Sequence, residues 1–341
     1  MSGETATERF ASSPTPRRTF SLFGWRLSSP YPFRFALAPG RGAAELHFDV
    51  VDAAPLPQGW DSLPPSFDAS RPGARDDQMS AVVVCGDCHV LRFSTRADFF
   101  VWPERIACHL HDPRDAFAID VWLFGTVFAY WLERRGMPTL HASVVASKGS
   151  AIGFLATSQG GKSTLAASML QAGAELLSDD LLPLDVREAR TLARPAYPQM
   201  RFWPEQAASL LGGTHRFPQA FPGTTKLVVT LEASGMGSFC PTPTPLHTIY
   251  LPERIGEGPV DITPVPAGEA LFAFIRHSFL AGIVEAMGMT PRRFATLSRC
   301  LTHQRVRRLR YPAGMHHLRA VRDAILDDLG AGHEARPDEY D

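Results

Sequence analysis

Two scarcities in this sequence exclude broad classes of protein. Its 341 residues include only 5 cysteines, an odd number that is too small for a disulfide framework and indicates a reducing compartment. Neither sign of charge prevails, because 34 Lys and Arg face 35 Asp and Glu and leave a net charge of -1. This balance argues against a protein that wraps nucleic acid, whereas 45% hydrophobic residues predict a packed core.

Long apolar segments are also missing. The most apolar stretch runs only from 121 to 132, which is shorter than the ~20 residues of a membrane-spanning helix. The N-terminal segment carries Glu4 and Glu8 and lacks the apolar run of a signal peptide. We therefore predict a cytoplasmic protein without a membrane partner, in which 121–132 lies in a buried helix.

Lysine is also scarce. Lys148, Lys162 and Lys226 are the only lysines, and every other basic residue is Arg. A compact ammonium group and a planar guanidinium group are not interchangeable. Each lysine is therefore a candidate for a chemical role that arginine would not fill.

The chain divides into four predicted parts. Residues 1–18 read as a disordered leader, and 19–135 as a β-rich N-terminal region that ends in a long helix. Residues 136–330 read as an α/β domain, and 331–341 as a flexible tail. The predicted fold class is therefore α/β, with a β-rich region preceding the α/β domain.

The predicted α/β domain at 136–330 opens with a strand–loop–helix–strand pattern. Strands are predicted at 140–147 and 151–157, a helix follows the loop at 158–161, and the next strand covers 174–185. Further strands are predicted at 226–232 and 247–252, and helices near 267–281, 291–303 and 315–330. This order is typical of a βαβ unit within an α/β domain.

The loop between this strand and helix matches a phosphate-binding motif. Residues 156–163 (ATSQGGKS) fit G-x-x-x-x-G-K-[ST] at every fixed position except the first, which is Ala156. Gly160 and Gly161 let backbone amides point at phosphate oxygens, and the helix start adds its positive dipole end. Lys162 is predicted to reach the β- and γ-phosphates, and Ser163 to ligate Mg²⁺. The candidate nucleotide-binding residues are Ser158, Gln159, Gly160, Gly161, Lys162, Ser163 and Thr164.

Two adjacent acids follow on the next predicted strand. Asp179 and Asp180 lie at its carboxyl end, which is the edge where open α/β sheets bind ligands. A Mg²⁺-nucleotide site needs one carboxylate near the metal, and a kinase needs one for the acceptor hydroxyl. A capping or loop role for the pair is the alternative. His141, before the loop strand, is a candidate to assist the acids or a structural histidine.

These residues together resemble a known family. His141-Ala142-Ser143, the strand GFLA, the loop TSQGGKST and the segment ELLSDDLLPLD are similar to the C-terminal kinase domain of the HPr kinase/phosphorylase family. The resemblance covers about 139–185 and extends more loosely to 195–204 and 267–280, where it is similar to divergent HprK-like serine kinases, including lasso peptide kinases. It implies a P-loop kinase fold of the HPr kinase type.

The resemblance also implies roles by position. Lys162 and Ser163 match the phosphate and Mg²⁺ residues, and His141 matches the histidine that assists the base. Asp179 and Asp180 match the catalytic pair, with Asp180 expected beside Ser163 at the metal. Which of the two is the base stays open. The bifunctional enzymes of the family carry the signature E-x-R-G after the acids, and this sequence lacks it there. The resemblance therefore does not carry over dephosphorylation as an activity or HPr itself as the substrate.

The sequence thus predicts an ATP- and Mg²⁺-dependent kinase that phosphorylates a hydroxyl, of Ser, on a small protein or peptide. An HPr-like carrier and a ribosomal, lasso-type precursor peptide are the two acceptor classes. Lys226 and Arg276 are candidate phosphate contacts, with solvated surface roles as their alternative. The competing function is a nucleotide-binding regulatory or interaction protein without phosphotransfer. No nucleic-acid partner is predicted, and homo-oligomer formation stays open.

Overall fold

The computed structural model describes residues 16–69, 78–214, 217–220 and 224–334, with side chains given up to 330. It is a mixed α/β structure, as predicted, with two large sheets. Residues 1–15 of the predicted leader and 335–341 of the predicted tail lie outside the described residues. The first strand begins at Arg18 and the last helix runs through Glu334, so both predicted ends extend too far into regular structure.

The N-terminal sheet has nine strands in the order β3-β1-β2-β4-β9-β8-β7-β6-β5. They are β1 (Arg18–Leu22), β2 (Trp25–Ser29), β3 (Ala38–Pro39), β4 (Leu46–Val51), β5 (Phe67–Asp68), β6 (Ala81–Cys85), β7 (Cys88–Phe93), β8 (Ala97–Val101) and β9 (Arg105–Leu110). The β6–β7 hairpin turns at Gly86, whose φ of 60° suits a two-residue turn, and confirms the prediction for this segment. The pairs β2–β4 and β4–β9 are parallel.

One long helix, α1 (Pro113–Arg134), follows this sheet. Asp112 caps it by accepting a hydrogen bond from the Arg114 amide, with Pro113 in the first turn. The helix is long and apolar enough to cross a membrane, but its side chains pack in the interior of the chain, in the cluster that includes Phe124, Phe128 and Trp131. It is therefore the core helix that the sequence predicts.

The second sheet has ten strands. Its main path is β10-β14-β15-β19-β12-β11-β13-β18, with β21 beside β19 and β20 beside β21, and β16 and β17 form a separate ribbon. The strands of the sheet and of the ribbon are, in chain order, β10 (Thr139–Leu140), β11 (Ala142–Ser147), β12 (Ser150–Leu155), β13 (Glu175–Ser178), β14 (Leu182–Val186), β15 (Thr191–Ala193), β16 (Gln199–Phe202), β17 (Leu227–Thr230), β18 (Ser238–Phe239), β19 (Thr244–Ile255), β20 (Asp261–Pro264) and β21 (Arg305–Pro312).

Helices lie between these strands along the chain and close it. They are α2 (Lys162–Gln171), α3 (Pro204–Leu211), α4 (Leu231–Ser234), α5 (Ala267–Arg276), α6 (Ala281–Ala286), α7 (Thr290–Leu301) and α8 (Leu318–Glu334). The strands β12 and β13, joined by α2, run parallel with antiparallel β11 between them. The predicted strand–helix–strand unit is therefore present, but its two strands are not neighbours.

The predicted single strand at 174–185 is wrong. The chain forms β13 and β14 instead, separated by a turn at 179–181, and the two strands pair with different neighbours. Asp180 takes a φ of 75° in this turn, and the Ser178 hydroxyl donates to the Leu181 carbonyl at 2.5 Å. A left-handed residue breaks the extended ladder, which an apolar pattern by itself does not reveal.

Part of the second half packs into the apolar core of the first half. Leu181 and Tyr197 of the second half pack in the same cluster as Phe35 and Phe124 of the first. The Tyr197 ring contacts the Phe35 ring edge-on, with centroids 5.0 Å apart. The boundary predicted at residue 135 therefore separates two segments that contribute to the same apolar cluster.

A buried carboxylate ties the N-terminal segment to α1. Asp120 accepts hydrogen bonds from the amides of Arg34 at 2.7 Å and Phe35 at 2.9 Å. Asp120→Ala would leave both amides without an acceptor, and we expect it to lower the free energy of unfolding by roughly 2–4 kcal/mol. Urea denaturation checks this value. Asp120→Asn retains an acceptor oxygen and should keep most of the stability; equal losses in both variants would contradict this account.

Candidate functional site

A tight loop joins β12 to α2 at the residues of the phosphate-binding motif. Gly161 has a φ of 90°, in the region that favours glycine, and Ala156 is not among the residues with positive φ. A Cβ on Gly160 would lie 2.6 Å from the Ala156 Cβ, so this position also needs glycine. The substitution of the motif's first glycine by Ala156 is thus compatible with the loop backbone.

Lys162 lies at the start of α2 and is 6% exposed. Its Nζ donates to the carbonyl oxygens of Ala156 at 2.9 Å and Thr157 at 3.1 Å, and so bridges the loop from inside. Burial lowers the pKa of Lys162, and the negative charges of Asp180 and Asp179 oppose this effect. The ammonium group thus lies between the loop carbonyls and the acid pair.

Asp179 is the more enclosed acid and is 4% exposed. Its Oδ1 accepts hydrogen bonds from the hydroxyls of Ser143 at 2.5 Å and Ser163 at 2.9 Å. Its Oδ2 accepts from the Arg201 amide at 3.0 Å. Burial and the neighbouring charge of Asp180 raise the pKa of Asp179, while these hydrogen bonds act against the rise. Asp179 therefore joins β11 and β16 to the first turn of α2.

Asp180 has a different environment. Its carboxylate is ion-paired with the Arg201 guanidinium and lines the cleft in front of the loop. Burial acts to raise the pKa of Asp180, but the positive charges of Arg201 and Lys226 outweigh it and leave the pKa below its ordinary value. Because of this pairing Asp180 is ionised at neutral pH.

The sequence places Asp180 beside Ser163, whereas in the structure Ser163 binds Asp179. This arrangement follows from the turn at 179–181, which directs successive carboxylates to different neighbours. The metal role of either acid stays a prediction, but the hydrogen bond favours Asp179 as the partner of Ser163.

His141 lines the same cleft, between β10 and β11. Its amide donates to the His277 carbonyl at 2.9 Å, and its ring packs against Phe279 with centroids 5.9 Å apart. Burial lowers the pKa of His141 to about 4, and the charge of Asp180 opposes the shift. At neutral pH the imidazole is therefore uncharged and able to accept a proton or a hydrogen bond.

One cleft brings together most of the predicted residues. Its lining includes His141, Ser158, Gln159, Gly161, Lys162, Ser163, Thr164, Asp180 and Lys226. The Lys226 ammonium lies 5.5 Å from the centre of the Trp203 ring. Three of the predicted site residues, all within the described part of the chain, do not line the cleft: Gly160, Asp179 and Arg276. Arg276 is exposed at the end of α5.

The sequence analysis missed several residues of the cleft. Arg201, Trp203 and Gln206 line it, and Ser143 binds Asp179 from β11. Arg201 carries a usable signal, because it is a charged residue in the otherwise uncharged strand QMRF at 199–202. Its alignment opposite the acids depends on the β16–β17 ribbon, which the sequence pattern does not place.

The oxygen donors of the site fit Mg²⁺ held together with a nucleotide. Ser163 and Asp179 supply a hydroxyl and a carboxylate whose oxygens lie 2.9 Å apart. Mg²⁺ commonly takes one or two protein ligands and completes its shell with phosphates and water. In the described part of the chain, no group of three or more His, Cys, Asp or Glu side chains could hold a metal by itself.

Acid should destabilise the protein partly through His141. Its pKa falls from 6.5 to about 4 on folding, so the unfolded chain binds the additional proton between these values. The contribution is present above pH 6.5 and is lost as the pH falls towards 4. We expect His141→Gln to lose less stability than wild type between pH 7 and about 4, measured by urea denaturation at each pH.

His89 provides the matched control, because burial also lowers its pKa to about 4. It lies in β7, against Tyr130 and away from the cleft. His89→Gln should also reduce the loss of stability between pH 7 and about 4, and in the double variant the two reductions should add. An unchanged slope in His141→Gln would show that this imidazole is not buried in its neutral form.

Comparisons with known proteins give little further information. No protein-family model matches this chain, and no curated protein sequence matches it. Among solved structures it is similar to the Hpr(Ser) kinase/phosphatase from Coxiella burnetii, with 12% identity over 57% of this chain and 98% of that chain. The TM-score of 0.31 is a weak structural relationship.

Proposed function

We propose that this protein is an ATP- and Mg²⁺-dependent kinase that transfers the γ-phosphoryl group to a serine hydroxyl of a small protein or peptide. The observation that carries the proposal is the joint placement of a phosphate-type loop and two acids with separate partners. Ser163 of the loop binds Asp179, and Asp180 lines the cleft in front of Lys162. Phosphoryl transfer needs this division between a metal carboxylate and an acceptor carboxylate.

The loop binds the phosphates in this proposal. Amides at the start of α2 and the helix dipole favour negative charge there. Lys162 exchanges its bonds to the Ala156 and Thr157 carbonyls for phosphate oxygens. Ser163 and Asp179 are the residues that would hold Mg²⁺, which when bound neutralises charge on the phosphates. Arg201 and Lys226 add positive charge on the cleft side.

Asp180 orients the acceptor. Its carboxylate accepts the hydrogen bond of the serine hydroxyl, whose oxygen forms a bond to the γ-phosphorus as the bond to the β,γ-bridging oxygen breaks. The hydroxyl proton passes to the Asp180 carboxylate, and ADP leaves with the bridging oxygen. The ion pair with Arg201 keeps this carboxylate ionised and makes it a weak base, so its main contribution is to position the hydroxyl, and positioning contributes most of the catalysis when the transition state is loose.

The acceptor class rests on the sequence resemblance at 139–185. An HPr-like carrier and a ribosomal precursor peptide of the lasso type each present a serine hydroxyl on a small polypeptide. The experiment is incubation of the protein with γ-labelled ATP, Mg²⁺ and each acceptor, followed by separation of protein, phosphate and nucleotide. Label on an acceptor supports the kinase, whereas bound nucleotide with no label transfer would leave a nucleotide-binding regulatory protein.

A further inference from the structure

A second cleft adjoins the one in front of the acid pair. It has a volume of about 280 Å³, and Thr164 and Gln206 line both clefts. Neither Asp179 nor Asp180 is among the described residues that line it. Its volume is close to the lower end, about 300 Å³, of ligand sites in proteins. The kinase chemistry proposed above uses none of the residues that are particular to it.

The wall of this second cleft combines apolar, cationic and acidic groups. Met315 and Leu318 contribute apolar side chains from the segment that begins α8. Arg254 contributes a planar guanidinium, and Glu205 an exposed carboxylate at the start of α3. Such a mixture suits a flat heteroaromatic ring attached to a hydroxylated group better than it suits a purely apolar ligand.

Two of its residues also touch the phosphate loop. A Cβ built on Gly161 would lie 2.8 Å from the Tyr311 hydroxyl oxygen and 3.1 Å from the Arg254 Nη2. Arg254 and Tyr311 are paired neighbours on the parallel strands β19 and β21, towards their carboxyl ends. Open α/β sheets bind ligands beyond this edge of their strands. The second cleft and the loop are thus parts of one ligand surface.

The direction of a bound triphosphate follows from the loop. Amides of such loops hold the α- and β-phosphates, while the lysine and the hydroxyl residue mark the γ end. Here Ser163 is bound to Asp179, so the γ end lies at the acid pair. The remainder of the nucleotide then leaves the loop past Thr164, where the second cleft begins.

We propose that this second cleft binds the base and ribose of the nucleotide, an inference that rests on the proposed function. The Arg254 guanidinium lies against the face of the base, and Met315 and Leu318 supply its apolar contact. Glu205 accepts hydrogen bonds from ribose hydroxyls. The ligand class is therefore a nucleoside triphosphate, rather than inorganic polyphosphate alone.

The test compares ATP with inorganic tripolyphosphate, each with Mg²⁺, by isothermal titration calorimetry. Met315 is 38% exposed, so Met315→Trp can fill the second cleft without disturbing the core. We expect wild type to bind ATP more tightly than tripolyphosphate. Met315→Trp should weaken ATP binding at least tenfold and leave tripolyphosphate binding unchanged. The matched control is Leu326→Trp, which is 36% exposed in α8 outside the cleft and should change neither affinity.

The outcomes separate this inference from the kinase proposal. Equal affinities of wild type for ATP and tripolyphosphate, or unchanged ATP binding in Met315→Trp, would overturn the second cleft as the nucleoside site while the phosphate loop stands. Parallel loss of both ligands in Met315→Trp would also overturn it, because the effect would not be specific to the nucleoside. No binding of either ligand to wild type would remove the proposed function itself. Thermal unfolding of both variants checks that they are folded.

Discussion

Lys162→Ala should lower phosphoryl transfer by about 10³-fold or more while the protein remains folded. The ammonium group is buried beside the loop and the acid pair, where a positive charge acts on the phosphates with little screening. Its two bonds to loop carbonyls contribute only about 1 kcal/mol each to stability, so the loss should appear in catalysis rather than folding. The measurement is the initial rate of label transfer from γ-labelled ATP.

Two variants make this result interpretable. Lys162→Met keeps the apolar stem and removes the charge, so it should be as inactive as Lys162→Ala. Lys148 is an exposed lysine in the β11–β12 turn, with a φ of 48° that asparagine tolerates, so Lys148→Asn should retain full activity. Full activity in Lys162→Met would contradict a role for this ammonium group in transfer.

Asp179→Asn and Asp180→Asn should give different defects. Asp179 binds Ser163, so its asparagine variant should need roughly 10–100-fold more Mg²⁺ for half-maximal activity. Asp180 lines the cleft, so its variant should lose about 10²–10⁴-fold in kcat with an unchanged Mg²⁺ requirement. Titration of Mg²⁺ at saturating ATP and acceptor separates the two effects.

Stability gives a second readout for the acid pair. Oδ1 of Asp179 accepts from two serine hydroxyls and Oδ2 accepts from the Arg201 amide, and asparagine keeps only one of these two acceptor oxygens. Asp179→Asn should therefore lower the free energy of unfolding by roughly 1–3 kcal/mol. Asp180→Asn leaves the Arg201 guanidinium without its anionic partner and should also destabilise the protein. Asp185→Asn is the control for the loss of a buried ion pair, because Asp185 is a buried acid that is paired with Arg194 and lies outside the cleft. Identical changes in the Mg²⁺ requirement and in kcat of Asp179→Asn and Asp180→Asn would refute separate roles.

Local sequence patterns predicted those features whose determining residues are adjacent in the chain. The loop at 156–163, the helix from Lys162 and the hairpin at Gly86 follow from glycines and apolar runs within a few residues. The position of the acids after the loop helix was also foreseeable. These features depend on backbone conformation, which short segments largely determine.

Contacts between distant segments were not predictable. The ion pair of Arg201 with Asp180 and the hydrogen bond of Ser143 to Asp179 join strands whose pairing the sequence does not state. The helix predicted at 267–281 ends at Arg276, and the next carbonyl, of His277, accepts from the His141 amide. Tertiary partners of this kind override local propensity, and one sequence carries no direct record of them.

The joined core has a consequence for fragments of the chain. Glu133 at the end of α1 accepts from the amide and hydroxyl of Thr139 and forms a buried ion pair with Arg293. A polypeptide starting at residue 136 would leave Arg293 uncompensated and expose the ring of Tyr197 to water. Excision of the half that carries the loop and the acid pair is therefore expected to yield aggregation, and binding and activity assays require both halves of the chain.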